Sequence, residues 1–151
     1  MFRGANKLNL DAKGRLAIPT RYRERLQECC ASELVVTIDK AHCLMIYPLP
    51  EWQVIERKVM SMPSMNPAAR NLQRLLVGNA TEVVMDGQGR VLLPPVLRKF
   101  ASLKKQVMLV GQVNRFELWD EEEWNKLMEV GLESLDSDPQ NLPADFNTLS
   151  F

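Results

Sequence analysis

Two ten-residue stretches decide how this chain folds: Leu10-Asp11-Ala12-Lys13-Gly14-Arg15-Leu16-Ala17-Ile18-Pro19 and Met85-Asp86-Gly87-Gln88-Gly89-Arg90-Val91-Leu92-Leu93-Pro94. Asp, Gly, Arg and Pro occupy the same register in both stretches, seventy-five positions apart. The chain is therefore a tandem repeat of one unit. Because one short unit cannot bury enough apolar surface alone, the duplication predicts two interlocked copies of a small fold.

Each repeat predicts the same order of elements: a strand, an Asp-x-x-Gly turn, a second strand, a helix and two more strands. The Asp side chain can accept hydrogen bonds from the backbone of its own turn, and Gly tolerates the positive φ that a tight hairpin requires. Pro19 and Pro94 mark the helix starts. The predicted helices are 20–30 and 95–102, and the later strands are 34–38, 44–47, 107–110 and 116–119.

A helix is predicted to close each repeat: Pro50-Glu51-Trp52 opens the first, and Asp120-x-x-Glu123 is a capping box for the second. Between the repeats, Asn66-Pro67 opens a further helix whose apolar stripe contains Ala69, Leu72, Leu75 and Leu76. Residues from about Gly131 onward are acidic and lack periodicity, which is typical of a mobile tail. The predicted organisation is a first unit (1–53), linking helices (54–79), a second unit (80–130) and an acidic mobile tail (131–151).

The composition predicts a globular protein of the cytoplasm. The chain has 151 residues and 46% apolar content, enough for a packed core without disulfides. No apolar run approaches the roughly 18–20 residues that cross a bilayer. The three cysteines make an odd number, which suits a reducing compartment, and we expect all three to be free thiols.

The net charge of zero conceals a strongly uneven distribution. Residues 1–25 contain seven basic and two acidic side chains, a net charge of +5, whereas residues 116–151 contain one basic and ten acidic side chains, a net charge of −9. This asymmetry indicates a basic working surface near the start of the chain and an acidic segment elsewhere.

The repeated motif and its flanks closely resemble the MraZ family, whose units belong to the AbrB/SpoVT-like class. The resemblance covers residues 1 to about 130, and its signature residues are Met1-Phe2-Arg3-Gly4, the two Asp-x-x-Gly-Arg turns, and Tyr47-Pro48-Leu49-Pro50-Glu51-Trp52. It implies an α+β fold in which two pseudo-symmetric swapped-hairpin units form an interleaved, double-psi-like split β-barrel with flanking helices.

The resemblance also implies a function. It predicts a bacterial regulator, expected to be a repressor, that controls its own division and cell-wall operon. Such a regulator would bind repeated promoter elements in double-stranded DNA as a ring-like homo-oligomer. It would be cytoplasmic and nucleoid-associated, with no membrane partner.

The residues themselves point to the first repeat as the part that contacts DNA. Arginine can grip a phosphate or a guanine edge with two nitrogens. We expect the turn and the helix after it to place cations in one small region. The candidate DNA-binding residues are Arg3, Lys7, Lys13, Arg15, Arg21 and Arg25, with Asp11 and Gly14 as the first motif and Asp86, Gly89 and Arg90 as the second.

Each turn also has a purely structural interpretation, in which Asp11 pairs with Arg15 and Asp86 pairs with Arg90 to hold the hairpin. This interpretation weighs more for Arg90, because the second repeat has Gln88 and Val96 where the first has Lys13 and Arg21.

Other residues suggest alternatives that we weigh less. Cys29, Cys30, His42 and Cys43 could in principle bind zinc, but adjacent cysteines rarely reach one tetrahedral ion and no C-x-x-C pair is present. We therefore expect no metal, no cofactor, no catalytic residues and no enzyme. Arg70 and Arg74 predict a solvated helix face, with a subunit contact as the alternative. The alternative function is a protein-interaction scaffold that uses the acidic C-terminal helix, and a small-molecule-binding barrel comes third.

Overall fold

A computed structural model of the protein describes residues 1–137, 142–145 and 149. These residues form eight strands and five helices, and the chain divides into two compact units, Met1–Glu121 and Glu122–Phe151. The elements are β1 (Phe2–Asn9), β2 (Arg15–Ala17), α1 (Thr20–Cys30), β3 (Glu33–Ile38), β4 (Leu44–Pro48), α2 (Leu49–Met60), α3 (Pro67–Leu76), β5 (Thr81–Val84), β6 (Arg90–Leu92), α4 (Pro95–Phe100), β7 (Gln106–Val113), β8 (Phe116–Asp120) and α5 (Glu121–Ser137). The prediction of a mixed α+β protein is confirmed.

The strands of the two repeats interleave in one antiparallel sheet. Six strands follow the order β1-β7-β8-β4-β3-β5, and a second sheet pairs β2 with β6. The first strand of the chain therefore pairs with β7 of the second repeat, in a register that runs from Phe2↔Val113 to Asn9↔Gln106. In return, β5 of the second repeat pairs with β3 of the first. Neither repeat completes its sheet without strands of the other.

The two Asp-x-x-Gly turns are tied to each other's repeat in the same reciprocal way. The backbone N–H of Leu93 donates to the carbonyl of Gly14 at 3.1 Å, and the N–H of Ile18 donates to the carbonyl of Gly89 at 2.8 Å. Between these bonds, Leu16 lies opposite Val91 in the β2–β6 pair, and both side chains are fully buried.

The main core is built from both repeats. Phe2, Tyr22 and Phe116 form an aromatic cluster in it, with ring centroids 4.4 Å apart for Phe2 and Phe116 and 5.1 Å apart for Tyr22 and Phe116. A smaller cluster contains Val35, Met45, Tyr47 and Trp52 beneath the linking helices. The strand alternation that places Phe2 inside leaves Arg3 exposed.

Several predicted helix boundaries are close to the observed ones. Helix α1 has the predicted limits, and α3 begins after Asn66, whose side chain accepts hydrogen bonds from the N–H groups of Ala68 and Ala69. Helix α4 ends at Phe100 rather than at Ser102, because Ser102 takes a left-handed conformation with φ of 52°.

The expectation that residue 131 begins a tail without regular structure is wrong for residues 131–137, because α5 continues to Ser137. One glycine costs a helix only about 1 kcal/mol, and its Leu, Met and Glu neighbours are good helix formers. The rest of the predicted tail includes residues 138–141, 146–148, 150 and 151, which lie outside the described residues.

Candidate nucleic-acid interface

The turn of residues 11–15, here called the first tip, is ordered by one carboxylate. Oδ1 of Asp11 accepts hydrogen bonds from the backbone N–H groups of Lys13 and Arg15, both at 2.9 Å, and Oδ2 accepts from Nε of Arg15 at 2.6 Å. Gly14 closes the turn with φ of +83°. The hydrogen bond from the Arg15 backbone is the main cause that lowers the pKa of Asp11 to about 2. Asp11 is therefore ionised at neutral pH, and it holds the arginine in place.

The turn of residues 86–90, here called the second tip, repeats this arrangement. Oδ1 of Asp86 accepts from the N–H groups of Gln88 and Arg90 at 2.9 Å, and Oδ2 lies 3.1 Å from Nε of Arg90. The backbone hydrogen bond from Arg90 is again the first cause of a lowered pKa at Asp86. Arg15 and Arg90 are equally exposed, with 30% of each side chain accessible. The Asp–Arg pair therefore exists in both tips and does not by itself distinguish them.

An arginine side chain from the opposite repeat lies directly against the glycine of each tip. The guanidinium of Arg98 occupies the space that a Cβ on Gly14 would need, and its Nε donates to the carbonyl of Leu93 at 3.1 Å. The guanidinium of Arg23 occupies the same place beside Gly89 and donates to the carbonyl of Ile18 at 2.7 Å. Sequence reasoning did not select either arginine. The signal was available, because Arg23 and Arg98 are also separated by seventy-five positions.

Arg21 is exposed but held against the first strand. Its Nη2 donates to Oδ1 of Asn6 and to the hydroxyl of Tyr22, both at 2.6 Å, and its guanidinium carbon lies 4.7 Å from the centroid of the Tyr22 ring. Gly4 has φ of +96° and lets this guanidinium approach the strand closely. Arg21 therefore presents its charge from a fixed position.

Arg25 and Arg3 lie close to the N-terminal amine of Met1. The pKa of this amine is lowered, first by partial desolvation and then by the positive charges of Arg25 and Arg3. Arg25 also lines a shallow cleft together with Met1, Phe2 and Cys29. These contacts place a second group of cations at the start of β1.

Lys7 and Lys13 have different surroundings. Lys7 lies 3.1 Å from Oε1 of Glu121, so its charge is partly balanced, although 59% of its side chain is exposed. Lys13 is exposed at the first tip itself.

The expectation that the first tip and α1 place their cations in one small region is wrong for Arg25, which lies with Arg3 near Met1. The first tip follows the end of β1, whereas Arg3 and Arg25 lie near its beginning. Eight residues of extended strand separate these two ends by about 23 Å. The structure therefore brings Lys13 and Arg15 together at one end and Arg3 and Arg25 at the other, with Arg21 between them.

The cysteine and histidine side chains have separate environments. Cys29 is exposed, whereas Cys30 and Cys43 are buried, and all three are free thiols. Burial is the main cause that raises the pKa of Cys30 to about 11 and that also raises the pKa of Cys43. His42 stacks on the ring of Phe100 with centroids 5.0 Å apart. Within residues 1–137, 142–145 and 149, no group of three or more His, Cys, Asp or Glu side chains is placed to hold a metal ion.

The structure also bears on two other expectations, the solvated face of α3 and the absence of a membrane-spanning helix. Arg70 and Arg74 are both exposed on α3, as a solvated face requires. None of the helices in the described part of the chain combines the length and apolar character that a membrane span needs.

Comparison with known proteins identifies the family. A family model described as MraZ protein, antitoxin-like, matches the chain twice, over residues 1–75 and 76–142. The protein named Transcriptional regulator MraZ of Pseudomonas aeruginosa (strain PAO1) is 53% identical over 150 residues, which cover 99% of each chain. Its counterpart in Nitrosospira multiformis is 58% identical over 142 residues, covering 94% of this chain and 97% of the relative. That of Escherichia coli O9:H4 (strain HS) is 56% identical over 135 residues, covering 89% of both chains.

The boundary between the two matched segments falls after residue 75, which is the spacing of the two tips. The relatives are named as regulators of transcription, so the expectation that the chain is not an enzyme is confirmed. The chain belongs to the MraZ family of transcriptional regulators.

Proposed function

We propose that this transcriptional regulator acts by binding double-stranded DNA through its first tip. Nε of Arg15 is bonded to Asp11, and it is the one side-chain nitrogen of Arg15 with a hydrogen bond among the described residues. Both Nη nitrogens are therefore left to bind a phosphate or the O6 and N7 atoms of a guanine. Because Asp11 already fixes the guanidinium, less conformational entropy is lost when DNA binds. This fixed, partly exposed arginine is the observation that carries the proposal.

The remaining candidate cations would extend the contact along β1. Arg21 is fixed beside Asn6, and Arg3 and Arg25 lie near Met1. A row of about 23 Å covers roughly seven base pairs, since successive base pairs of one strand are about 3.4 Å apart. We propose that Lys13 and Arg15 read the bases, and that Arg3, Lys7, Arg21 and Arg25 bind the backbone.

We also propose a more specific architecture than the mixed α+β fold. The β1–β7 and β2–β6 pairings support two AbrB-like swapped-hairpin units that close a double-psi-like split barrel. The proposed units are 1–53 and 80–130, joined by linking helices 54–79. The acidic segment after them carries no DNA contact in this scheme.

The biological target that we propose is the one that the resemblance to this family implies. We propose that the protein represses its own division and cell-wall operon through short repeated elements in the promoter. It would therefore act in the cytoplasm, on the nucleoid.

DNA binding should depend steeply on salt and not on metal. Contacts between cations and phosphates release condensed counterions, and each one contributes about −0.9 to the slope of log K against log salt. We expect fluorescence anisotropy with DNA from upstream of the gene to give a slope steeper than about −4, with scrambled DNA as the control. A chelator should leave the affinity unchanged. A shallow slope, or binding that a chelator abolishes and zinc restores, would contradict the proposal.

We also propose that the chain acts as a ring-like homo-oligomer, so that several subunits bind several repeated elements at once. Several apolar side chains are exposed and available for such contacts, including Leu75 at 52%, Leu127 at 41%, Leu132 at 61% and Leu135 at 45%. Ala69 of the α3 stripe and Leu118 and Trp119 of β8 are buried within the chain and are not available for such contacts.

Light scattering at micromolar concentration is expected to give a mass far above twice the 17.3 kDa of one chain. Polar substitution of Leu132 and Leu135 should reduce this mass, whereas the same change at exposed Val54 on α2 serves as the control. A monomer that binds DNA with full affinity would exclude the ring mechanism.

A scaffold function remains the alternative candidate, because no described residue of α5 is buried and the helix exposes both acidic and apolar side chains. A wild-type protein that does not bind promoter DNA, together with a protein complex that is lost when α5 is shortened, would favour it.

A further inference from the structure

Each tip borders a groove whose far wall comes from the opposite repeat. The first groove, beside the first tip, has a volume of about 570 Å³ and is lined by Leu10, Asp11, Ala12, Gly14, Arg98, Leu103, Lys104 and Lys105. The second groove, of about 390 Å³ beside the second tip, is lined by Arg23, Glu24, Gln27, Ala31, Ser32, Val84, Met85, Asp86, Gly87 and Gly89.

A pair of backbone hydrogen bonds shows which positions in the two grooves correspond. The N–H of Leu10 donates to the carbonyl of Lys105 at 2.8 Å, and the N–H of Met85 donates to the carbonyl of Ser32 at 3.0 Å. Leu10 and Met85 are equivalent residues of the two motifs. Lys105 therefore corresponds to Ser32, and Lys104 corresponds to Ala31.

The two grooves share a shape but differ in charge. The first contains three cations and one carboxylate, a formal charge of +2, and that carboxylate, Asp11, is already paired with Arg15. The second contains one cation and two carboxylates, a formal charge of −1, and one of these carboxylates, Asp86, is paired in the same way with Arg90. The difference comes mainly from Lys105 in the first groove and from Glu24 in the second, since Lys104 is itself paired with Asp120. An anion is therefore attracted to the first groove and repelled by the second.

We propose that the first groove is a site for a DNA backbone phosphate, held by Arg98 and Lys105 of the second repeat. The site rests on the proposed DNA contact of the first tip and extends it across the repeat boundary. Arg98 uses Nε to bind the carbonyl of Leu93, which fixes its guanidinium beneath Gly14 and leaves both Nη nitrogens for the phosphate. Lys105 is exposed, and it is its backbone carbonyl, not its side chain, that accepts the hydrogen bond from Leu10. Lys104 lies 3.5 Å from buried Asp120, so we assign it no direct contact.

This assignment makes the DNA-binding surface composite. The first repeat supplies Lys13 and Arg15, which face the bases, and the second repeat supplies the phosphate clamp beside them. It also gives the two tips different roles although their internal hydrogen bonds follow the same pattern. The second tip has Ser32 at the position of Lys105 and so has no equivalent pair of cations for a phosphate.

Lys105→Gln is the main test, because the side chain can be changed without touching the backbone bond to Leu10. We expect its affinity for operator and scrambled DNA to fall by about fivefold, since a phosphate contact carries no sequence information. The slope of log K against log salt should become shallower by about 0.9 for each engaged subunit, at unchanged Tm. Lys58→Gln, an exposed lysine outside the groove, controls for total charge.

Arg98→Gln and Arg23→Gln form a matched pair, because both remove the same type of carbonyl hydrogen bond beneath a tip glycine. We expect similar losses of Tm in both variants, but a clearly larger loss of DNA affinity in Arg98→Gln. Inorganic phosphate at constant ionic strength should not compete with DNA, because the proposed site needs the neighbouring contacts of the tip.

The outcomes distinguish a failure of the proposed phosphate site from a failure of the proposed DNA binding. If Lys105→Gln keeps wild-type affinity and slope while Arg15→Ala loses binding, the groove proposal is wrong and the DNA contact of the tip stands. Equal affinity losses in the Arg98 and Arg23 variants would also overturn the groove proposal. If the wild-type protein itself shows no salt-dependent binding to promoter DNA, both proposals fall.

Discussion

Replacing Arg15 by alanine should lower the affinity for operator DNA by about 1–3 kcal/mol for each engaged subunit, because a bidentate contact to a base or phosphate is lost. With several subunits bound at once, specific binding at physiological salt should nearly disappear. The fold should persist, since the Asp11–Arg15 pair is partly exposed and such pairs contribute less than about 1 kcal/mol to stability. Anisotropy titration and thermal unfolding measure the two effects separately.

Arg90→Ala is the matched control for this substitution. It removes the same hydrogen bonds to an aspartate at the same side-chain exposure, and it therefore carries the same small cost in stability. Its effect on DNA should be several-fold smaller, because the groove beside the second tip has a formal charge of −1. Equal losses of affinity from the two substitutions at equal Tm would show that both tips contact DNA.

Replacing Phe2 by alanine should destabilise the protein by about 3–5 kcal/mol, the range found when a buried phenylalanine is removed. Phe2 is 2% exposed and packs on Phe116 and Tyr22. It also anchors β1, an edge strand whose single neighbour in the sheet is β7. Urea unfolding at fixed protein concentration gives the free energy of unfolding.

Phe100→Ala provides the comparison for Phe2→Ala. Phe100 is only partly buried and stacks on His42 at the surface of the core, so its removal should cost clearly less. A loss for Phe2→Ala no larger than that for Phe100→Ala would mean that the N-terminal strand contributes little to the fold.

Local chemistry explains what could be predicted from the sequence. The limits of α1, the two Asp-x-x-Gly turns and the N-cap at Asn66 each depend on residues within four positions of one another. Turn and cap residues act through such short-range hydrogen bonds, so their pattern can be recognised in a single sequence. The two-unit organisation was also visible, because the motif occurs twice.

What could not be predicted depends on contacts between distant parts of the chain. The pairing of Asn9 with Gln106 and the placement of Arg98 under Gly14 join residues more than eighty positions apart. The spread of the cations along β1 has a related cause. Lys13, Arg15, Arg21 and Arg25 are close in sequence, but closeness in sequence does not require closeness in space. In an extended strand, eight residues separate two side chains by more than twenty ångströms.

The exchange of strands between the repeats has a consequence for synthesis on the ribosome. The partner of β1 ends at Val113, so the first strand leaves the exit tunnel about a hundred residues before that partner leaves it. At about 5–20 residues per second, this delay lasts roughly 5–20 s. During it, the backbone N–H and C=O groups of β1 have no partner strand, and a chaperone or a neighbouring nascent chain can occupy that edge. Polysomes that translate this message therefore bring together incomplete halves that can exchange strands between chains.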